Sequence, residues 1–244
     1  MKTATKENNN AAQAAPSGPT KLPEWKLLIV ALCIGVLTSP GTYGQNTHRA
    51  TFSRPANQYL SASDSASLSI TSAITIEAWI KIDAVDGTAQ TIVGKGRSPS
   101  GTGYALLLSA NKFNLSIWTA TATSVSSAMT PVANTWYHVA GTWDGSTARI
   151  YINGNLDGSA SINGSIDDSG EPLYIGRELT ASPERYFGGN IDDVRVWAVD
   201  RAQDQIRSSM FTELLGSESG LRGYWKLNNL PADSWFLLTF RGII

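Results

Sequence analysis

Carboxylate side chains recur along the predicted strands of this chain, and their spacing decides whether two of them could act as a catalytic pair. Retaining hydrolysis of a glycosidic bond needs two carboxyl groups about 5–5.5 Å apart, one as nucleophile and one as acid/base. Long side chains at positions i and i+4 of a strand share a face and meet this need. Glu77 is followed on its face by Trp79 and Lys81, and Asp193 is followed by Arg195. The sequence therefore favours a protein without glycosidase activity, although a pair assembled from different strands stays open.

Histidines and one aspartate are the candidates for metal chemistry. His48 and His138 do not have the spacing of a zinc site. Under strict alternation, Asp192 shares the inward side of its strand with Val194, where an unpaired carboxylate is costly to bury. Three explanations stay open. Asp192 could bind calcium, whose ligands are often carboxylates and backbone carbonyls; it could form a salt bridge; or a β-bulge could bring Ile191 inward instead.

Tryptophan and tyrosine side chains supply a different chemistry, the binding of sugars. Sugar rings present C–H faces that stack on aromatic rings, and binding sites combine such rings with a few polar groups. The Gly/Ser/Pro-rich segments 97–102 and 179–186 are connections of the kind that form binding rims. Trp79 and Trp118 are the better candidates among the tryptophans because their strand phase places them opposite the aliphatic face. The predicted ligand-binding residues are Trp79, Trp118, Arg177 and Tyr186.

Composition limits the class of protein that carries these residues. The chain has 244 residues, of which 42% are hydrophobic and 16% charged, with a formal net charge of −1. These values are typical of one soluble domain. Nucleic-acid binding normally requires a basic excess or stripe, so we expect no nucleic-acid partner.

Residues 1–44 read as a targeting segment, either a signal peptide or an N-terminal anchor. A polar, net positive stretch precedes the uncharged run 27–37, and Thr42 and Gly44 supply small residues at the −3 and −1 positions of a cleavage site. As a helix, that run rises about 16 Å, well short of a hydrocarbon core of about 30 Å. The sequence predicts a secreted or cell-surface protein that touches a membrane only if this segment is uncleaved. Cys33, the single cysteine, lies in the run, so the mature chain would contain none.

Alternation with a period of two dominates the chain from about His48. In residues 74–82, isoleucines and one alanine alternate with polar residues and a tryptophan, which predicts a strand with one face on a core. At least eight strands predict a sandwich or barrel. Similar runs occupy 91–95, 103–109, 112–119, 136–143, 148–152, 172–176, 191–198 and 221–227.

Two turn dipeptides predict a local topology. Asp144-Gly145 separates strand 136–143 from strand 148–152, and Asn153-Gly154 separates the latter from 155–159. Both dipeptides tolerate the positive φ angles of a tight hairpin. The prediction is a three-strand antiparallel meander.

One short helix is predicted near the C-terminus. It covers residues 203–211, with Asp200 as N-cap and with Ile206 and Met210 four residues apart on one face. The Ser/Ala/Thr-rich stretch 120–128 is interpreted as a solvated edge strand or loop.

Five segments, in this order, resemble the LamG-like jelly-roll domain of the concanavalin A-like lectin/glucanase superfamily. The resemblance spans roughly residues 48–227. Residues 138–143 also resemble the pentraxin signature, but Ala140 and Glu77 stand where pentraxins carry their two disulfide-forming cysteines, so the likeness is to the wider superfamily. The five segments are ITIEAWI at 74–80, WYHVAGTWDG at 136–145, IYING at 150–154, LYIG at 173–176 and GGNIDDVRVW at 188–197.

The resemblance implies two antiparallel sheets packed face to face, and either sugar binding or sugar cleavage. Family 16 glycoside hydrolases of this superfamily carry Glu-x-Asp-x-Glu on one strand, and no such run occurs here. The end strand of those enzymes, Val-Asp-Tyr-Val-Arg-Val, has an aspartate that binds a structural calcium, and Asp192 matches it. Glu178 matches a pentraxin calcium ligand, although Leu179 and Thr180 replace the amide and the acid that follow there.

The sequence therefore predicts an all-β jelly-roll sandwich over residues 45–229, with one short C-terminal helix. The predicted function is an extracellular module that binds a glycan or a glycosylated surface, without catalysis and with calcium as a candidate structural ion. The alternatives are a structural or adhesion module that makes protein contacts and, less favoured, a glycoside hydrolase. Residues 230–244 form an unpatterned apolar tail that suggests an altered reading frame, and residues 221–228 resemble the segment through which such proteins continue into a further domain.

Overall fold

The chain is described by a computed structural model over residues 49–98, 101–119, 121–180 and 184–228. The predicted leader 1–44, His48 and the tail 230–244 lie outside the described residues. The strands are β1 (Ala50–Phe52), β2 (Leu60–Ala62), β3 (Ile74–Ile82), β4 (Gln90–Ser98), β5 (Thr102–Ser109), β6 (Lys112–Thr119), β7 (Thr121–Ser126), β8 (Trp136–Trp143), β9 (Thr147–Ile152), β10 (Asn155–Ser161), β11 (Leu173–Ile175), β12 (Leu179–Thr180), β13 (Gly189–Trp197) and β14 (Leu221–Trp225).

These strands form two seven-stranded sheets, as the jelly-roll prediction requires. Sheet 1 has the order β1-β13-β3-β8-β9-β10, and β14 also pairs with β13. Sheet 2 has the order β2-β11-β4-β5-β6-β7, and the two-residue β12 pairs with β4 in parallel. The remaining pairs are antiparallel. The predicted all-β sandwich is confirmed.

Strand β3 shows how the period of two builds the core between the sheets. Its aliphatic residues Ile74, Ile76, Ala78, Ile80 and Ile82 belong to one core cluster with the inward residues of sheet 2, among them Leu106 and Leu115. A Cβ added to Gly141 of β8 would lie 2.9 Å from Leu115 Cδ1, so the absence of a side chain there lets the sheets approach closely. The inward face of β3 is the one that the sequence predicts.

The meander β8-β9-β10 is also confirmed. β8 pairs with β9 and β9 with β10, both antiparallel. At the second turn Asn153 and Gly154 have φ angles of 49° and 73°, the conformation that the Asn-Gly dipeptide tolerates. The stretch predicted as an edge strand or loop forms β7 at the edge of sheet 2.

Strict alternation fails at Asp192. A β-bulge, which is one of the three explanations left open by the sequence, is present there. Ile191 pairs with Ile80 and Asp192 with Trp79, and the register then shifts before Arg195 pairs with Glu77. Asp193 takes a φ of 53° at this shift. The inward placement of Asp192 predicted from alternation is therefore wrong, because the extra residue turns Ile191 into the core and Asp192 to the outer face of sheet 1.

The predicted helix is present but shorter than expected. Helix α1 covers Gln203–Ser209, and its N-cap is Ala202 instead of Asp200, with the backbone N–H of Ala202 donating to the Gln205 side chain. Ile206 on its buried side packs on Ala140 and Tyr151 of sheet 1. In the part of the chain that the structure describes, no helix has the length and apolar content needed to span a membrane.

Candidate functional site

The outer face of sheet 1 is covered by the segment that follows β13. This segment, here called the strap, comprises residues 198–214 and includes α1. Trp79 lies beneath it and is only 4% exposed; its indole N–H donates to the Met210 carbonyl at 2.7 Å, and its ring contacts Phe211 and His138. The prediction that Trp79 points away from the core is confirmed, but the strap occupies the space that a ligand would need.

Glu77 is the centre of a buried charge network under the strap. Its Oε1 accepts hydrogen bonds from Arg201 Nη1 at 2.7 Å and from Trp197 Nε1 at 2.9 Å, and Arg195 Nη1 lies 3.7 Å away. Burial raises the pKa of Glu77, and the two arginines oppose that shift. Its other carboxylate oxygen lies 3.6 Å from Nε2 of His138.

The same arginines hold the strap against the sheet. Arg195 belongs to β13, whereas Arg201 belongs to the strap and pairs with Glu77 of β3. Arg195 donates to the carbonyls of Ser209 at 3.0 Å and Thr212 at 2.7 Å, and Arg201 donates to the Gln205 carbonyl at 2.9 Å. Hydrogen bonds from charged donors are stronger than those from neutral donors, so these contacts keep the strap on the outer face of sheet 1. Arg195, Arg201 and Glu77 Oε1 therefore have structural partners on that face.

Small residues form the floor of the opposite surface, the outer face of sheet 2. Tyr174, Gly94, Ala105 and Ser116 lie side by side on four neighbouring strands. Strands lie about 4.8 Å apart, so this row spans about 14 Å. A Cβ added to Gly94 would lie 3.5 Å from Glu178 Cβ, which shows that the segment after β11 lies directly above the glycine.

Three tyrosines surround the guanidinium of Arg177 at one end of this floor. Arg177 Cζ lies 4.3 Å from the ring centroid of Tyr59, 4.9 Å from that of Tyr174 and 5.7 Å from that of Tyr186. Arg177 Nη2 donates to Glu184 Oε1 at 3.1 Å. The tyrosine rings are half-buried, so each keeps accessible surface next to a fixed positive group. We call these five residues the tyrosine cluster.

Glu178 lies beside the tyrosine cluster and holds a second arginine. It is 1% exposed, and its Oε2 accepts hydrogen bonds from Arg185 Nη1 at 3.2 Å and Thr91 Oγ1 at 3.4 Å. Burial raises the pKa of Glu178, which Arg185 opposes. The guanidinium on Oε2 disfavours a cation there, whereas Oε1 is buried without a hydrogen-bond partner among the described residues, so calcium at Glu178 stays a prediction.

Trp118 also lies on the outer face of sheet 2, as its phase predicts. It is 3% exposed and packs against Ala105 and Leu107 on the neighbouring strand. Its ring therefore builds the floor and leaves little free surface for stacking. The predicted residues Arg177 and Tyr186 are brought together in the tyrosine cluster, whereas Trp79 is separated from them on the other sheet.

Asp192 lines a pocket of about 190 Å³ on the outer side of sheet 1, near the end of the described chain. It is 2% exposed, its Oδ1 accepts the Asp193 N–H at 3.0 Å, and burial together with the charge of Asp193 raises its pKa to about 7. Asn228 lines the same pocket, and its Oδ1 is buried without a hydrogen-bond partner among the described residues.

The side-chain oxygens of Asp192 and Asn228 could supply part of the ligand set of a hard cation. Calcium takes six to eight oxygen ligands, and backbone carbonyls and water can complete a set of this kind. Across the described ranges, no three His, Cys, Asp or Glu side chains converge on one point. Asp192 and Asn228 are therefore the side chains that would hold calcium on sheet 1.

Tyr59, Tyr174 and Glu184 were missed by sequence reasoning. Tyr59 precedes β2, Tyr174 belongs to β11 and Glu184 lies beyond β12, so they meet only because β2 pairs with β11 and the chain then folds back over β4. A signal was present for Tyr174, which alternates with Leu173 and Ile175 and so had to face outward. Nothing in the sequence indicated which arginine they would surround.

A family comparison agrees with this architecture. Residues 54–207 match the family model described as the concanavalin A-like lectin/glucanases superfamily, and this span is well over half of the chain. The chain belongs to this superfamily. A search of curated protein sequences gave no match.

Solved structures with the same fold include binding domains of several kinds. A Bacteroides ovatus protein assigned to carbohydrate binding is 25% identical to this chain, with a TM-score of 0.61. The match covers 75% of this chain and 52% of that protein, so this chain spans about half of that protein's length. The binding domain of Paraclostridial Mosquitocidal Protein 1 is 16% identical, with a TM-score of 0.50 and coverages of 61% and 39%. Domain 4 of the arabinanase AbnA from Geobacillus stearothermophilus, in complex with arabinotriose, is 17% identical, with a TM-score of 0.49 and coverages of 58% and 68%.

Proposed function

We propose that this chain is a non-catalytic, extracellular carbohydrate-binding module whose ligand lies on the outer face of sheet 2, against the tyrosine cluster. One observation carries the proposal: three half-buried tyrosine rings and fixed polar groups converge at one end of the outer face of sheet 2. Binding sites combine apolar or aromatic surface with a few oriented polar groups. Superfamily membership and the similarity to the Bacteroides ovatus protein support the same conclusion.

Two acids of this face, Glu178 and Glu184, have arginine partners, which supports binding without catalysis. Glu178 pairs with Arg185 and Glu184 with Arg177. Retaining cleavage needs two carboxyl groups that act on the glycosidic bond, and each of these two glutamates is instead held by an arginine. We therefore assign these glutamates to positioning the arginines. The extracellular setting rests on the predicted leader and is tested by sequencing the N-terminus of the secreted chain, which we expect to begin at Gln45.

A glycan array probed with the purified chain tests the proposal. Tyr174→Ala and Tyr59→Ala should each lower affinity for the bound glycans by about tenfold, because they remove stacking surface. Phe211→Ala is the matched control, an exposed aromatic residue on the strap of sheet 1 that should leave affinity unchanged. If no glycan binds, or if the tyrosine variants bind as well as the wild type, the proposal fails and a protein-contact module becomes the better description.

Calcium at Asp192 and Asn228 is a separate proposal with a separate test. A bound ion selective for the folded state raises the melting temperature, so adding calcium should stabilise the chain and a chelator should reverse that effect. Asp192→Asn should abolish the shift, and Asp157→Asn, on β10 away from the pocket, should retain it. A melting temperature that does not respond to calcium in the wild-type chain would contradict this proposal.

A further inference from the structure

We infer that the outer face of sheet 2 selects uncharged sugars and rejects anionic ones. The inference rests on the proposed function and specifies its ligand class. Exposed arginines usually favour carboxylates and phosphates, because a guanidinium offers a fork of donors that matches them. On this face, however, each of the two arginines is already held by a carboxylate of the same chain.

Arg177 is committed to Glu184 and to the tyrosine rings. One edge of its guanidinium donates to Glu184 at 3.1 Å, its faces lie against Tyr59 and Tyr174, and its Nε is buried. The Tyr186 hydroxyl donates to the same glutamate. Because Nη2 is held by Glu184 and Nε is buried, a ligand carboxylate could make a two-donor contact with this guanidinium only by displacing Glu184.

Arg185 is committed in the same way to Glu178. That glutamate is buried and has no other cationic partner within ion-pair distance among the described residues. An anionic ligand that drew Arg185 away would leave a buried carboxylate without a counter-charge, a strongly unfavourable state. The contact from Thr91, at 3.4 Å, is too weak to compensate.

The charges of the described side chains around the cluster therefore repel an anion. Arg177 and Arg185 are balanced by Glu184 and Glu178, and Glu171 adds a further negative charge close to Tyr174. An uncharged sugar faces no such penalty. Its hydroxyl groups can donate to the carboxylate of Glu184, which is exposed, while its C–H face lies on the tyrosine rings.

Paired probes with the same backbone test this selectivity. Oligogalacturonides in methyl-esterified and free-acid form, together with neutral array glycans and their sialylated or sulfated counterparts, share a backbone and differ in the charged substituent. We expect the wild-type chain to bind the anionic member of each pair at least about tenfold more weakly. Affinity for the uncharged member should change little with salt concentration, since no charge of the ligand is screened.

A gain of function makes the test sharper. Glu184→Gln frees the Arg177 fork, so we expect the affinity for the anionic probes to rise by about tenfold and to become salt-dependent. Glu213→Gln, which removes an exposed acid near the pocket of sheet 1, is the matched control and should leave the ratio unchanged. Thermal unfolding of both variants verifies that they are folded.

The outcomes separate this inference from the proposed function. Equal or tighter binding of the anionic probes by the wild type, or an unchanged ratio in Glu184→Gln, would overturn the selectivity and leave carbohydrate binding standing. Binding of neither kind of probe, or of any array glycan, would overturn the proposed function and the inference with it.

Discussion

The two outer faces of the sandwich carry similar residue types but use them differently. On sheet 1, Trp79, Glu77 and Arg195 lie under the strap, and they bond to Arg201 of the strap or to its carbonyls. On sheet 2, tyrosines, Arg177 and a glutamate form the tyrosine cluster and keep part of their surface accessible. An aromatic residue next to an arginine therefore does not by itself indicate a binding site. Its role depends on whether another segment of the chain covers it.

The cover arises from chain connectivity. After β13, the strap returns across sheet 1 before β14 pairs with the same strand. Glu77, the buried glutamate beneath the strap, has two arginines and an indole N–H as partners. These partners offset the free-energy cost of taking its charge out of water. The face with the cover should thus contribute to stability, and the other face to binding.

The largest expected difference between the faces is in stability. Glu77→Ala leaves Arg195 and Arg201 buried with less counter-charge, so we expect the free energy of unfolding to fall by about 3–5 kcal/mol. Glu184→Ala on the other face should cost less, about 1 kcal/mol, because the Glu184 side chain is 35% exposed and water screens its pair with the buried Arg177. Denaturant unfolding monitored by tryptophan fluorescence measures both. Equal losses in the two variants would remove the distinction.

A pH dependence should follow from His138 on the covered face. Burial, with Arg195 and Arg201 next, lowers its pKa to about 3. Between pH 6.5 and 3 the unfolded chain binds a proton there that the folded chain does not, so this histidine lowers stability as pH falls. From pH 7 to 5 its contribution should fall by about 2 kcal/mol. His138→Gln should remove that part of the slope in denaturant unfolding across this range; an identical slope in the variant would argue against a neutral buried histidine.

The smallest expected effect compares one hydrogen bond on each face. Trp79→Phe removes the donor to the Met210 carbonyl, and we expect a loss of about 1 kcal/mol. Tyr174→Phe removes a hydroxyl from a half-buried ring and should change stability by less than about 0.5 kcal/mol. Thermal unfolding of the two variants tests the difference, and a larger loss in Tyr174→Phe would reverse the assignment of the faces.

Sequence reasoning predicted most of the fold because the core pattern is local. Each inward residue of β3 alternates with an outward one, and the Asn153-Gly154 turn requires its own φ angles, so neither depends on distant contacts. The bulge at Asp193 broke the alternation, and the position of Asp192 could be stated only as alternatives. One inserted residue reverses the side on which its neighbours lie, and the sequence does not record which residue is inserted.

The candidate site was predicted only in part. Arg177 and Tyr186 were selected, and so was Trp79, for which strand phase could predict only that its side chain points away from the core. Whether a later segment covers that surface depends on the path of the chain. Met210 and Phe211 cover Trp79, and Tyr59 completes the surroundings of Arg177.

The amino-acid sequence by itself determined the two-layered architecture, the inward face of the strands and the local turns, since these follow from alternation and backbone preference within a few residues. Tertiary structure alone decided which outer face the strap covers, which carboxylate pairs with each arginine, and where the tyrosines meet. Those outcomes depend on pairing between strands far apart in the chain, and the energies of buried charges and stacked rings exist only after that pairing has formed.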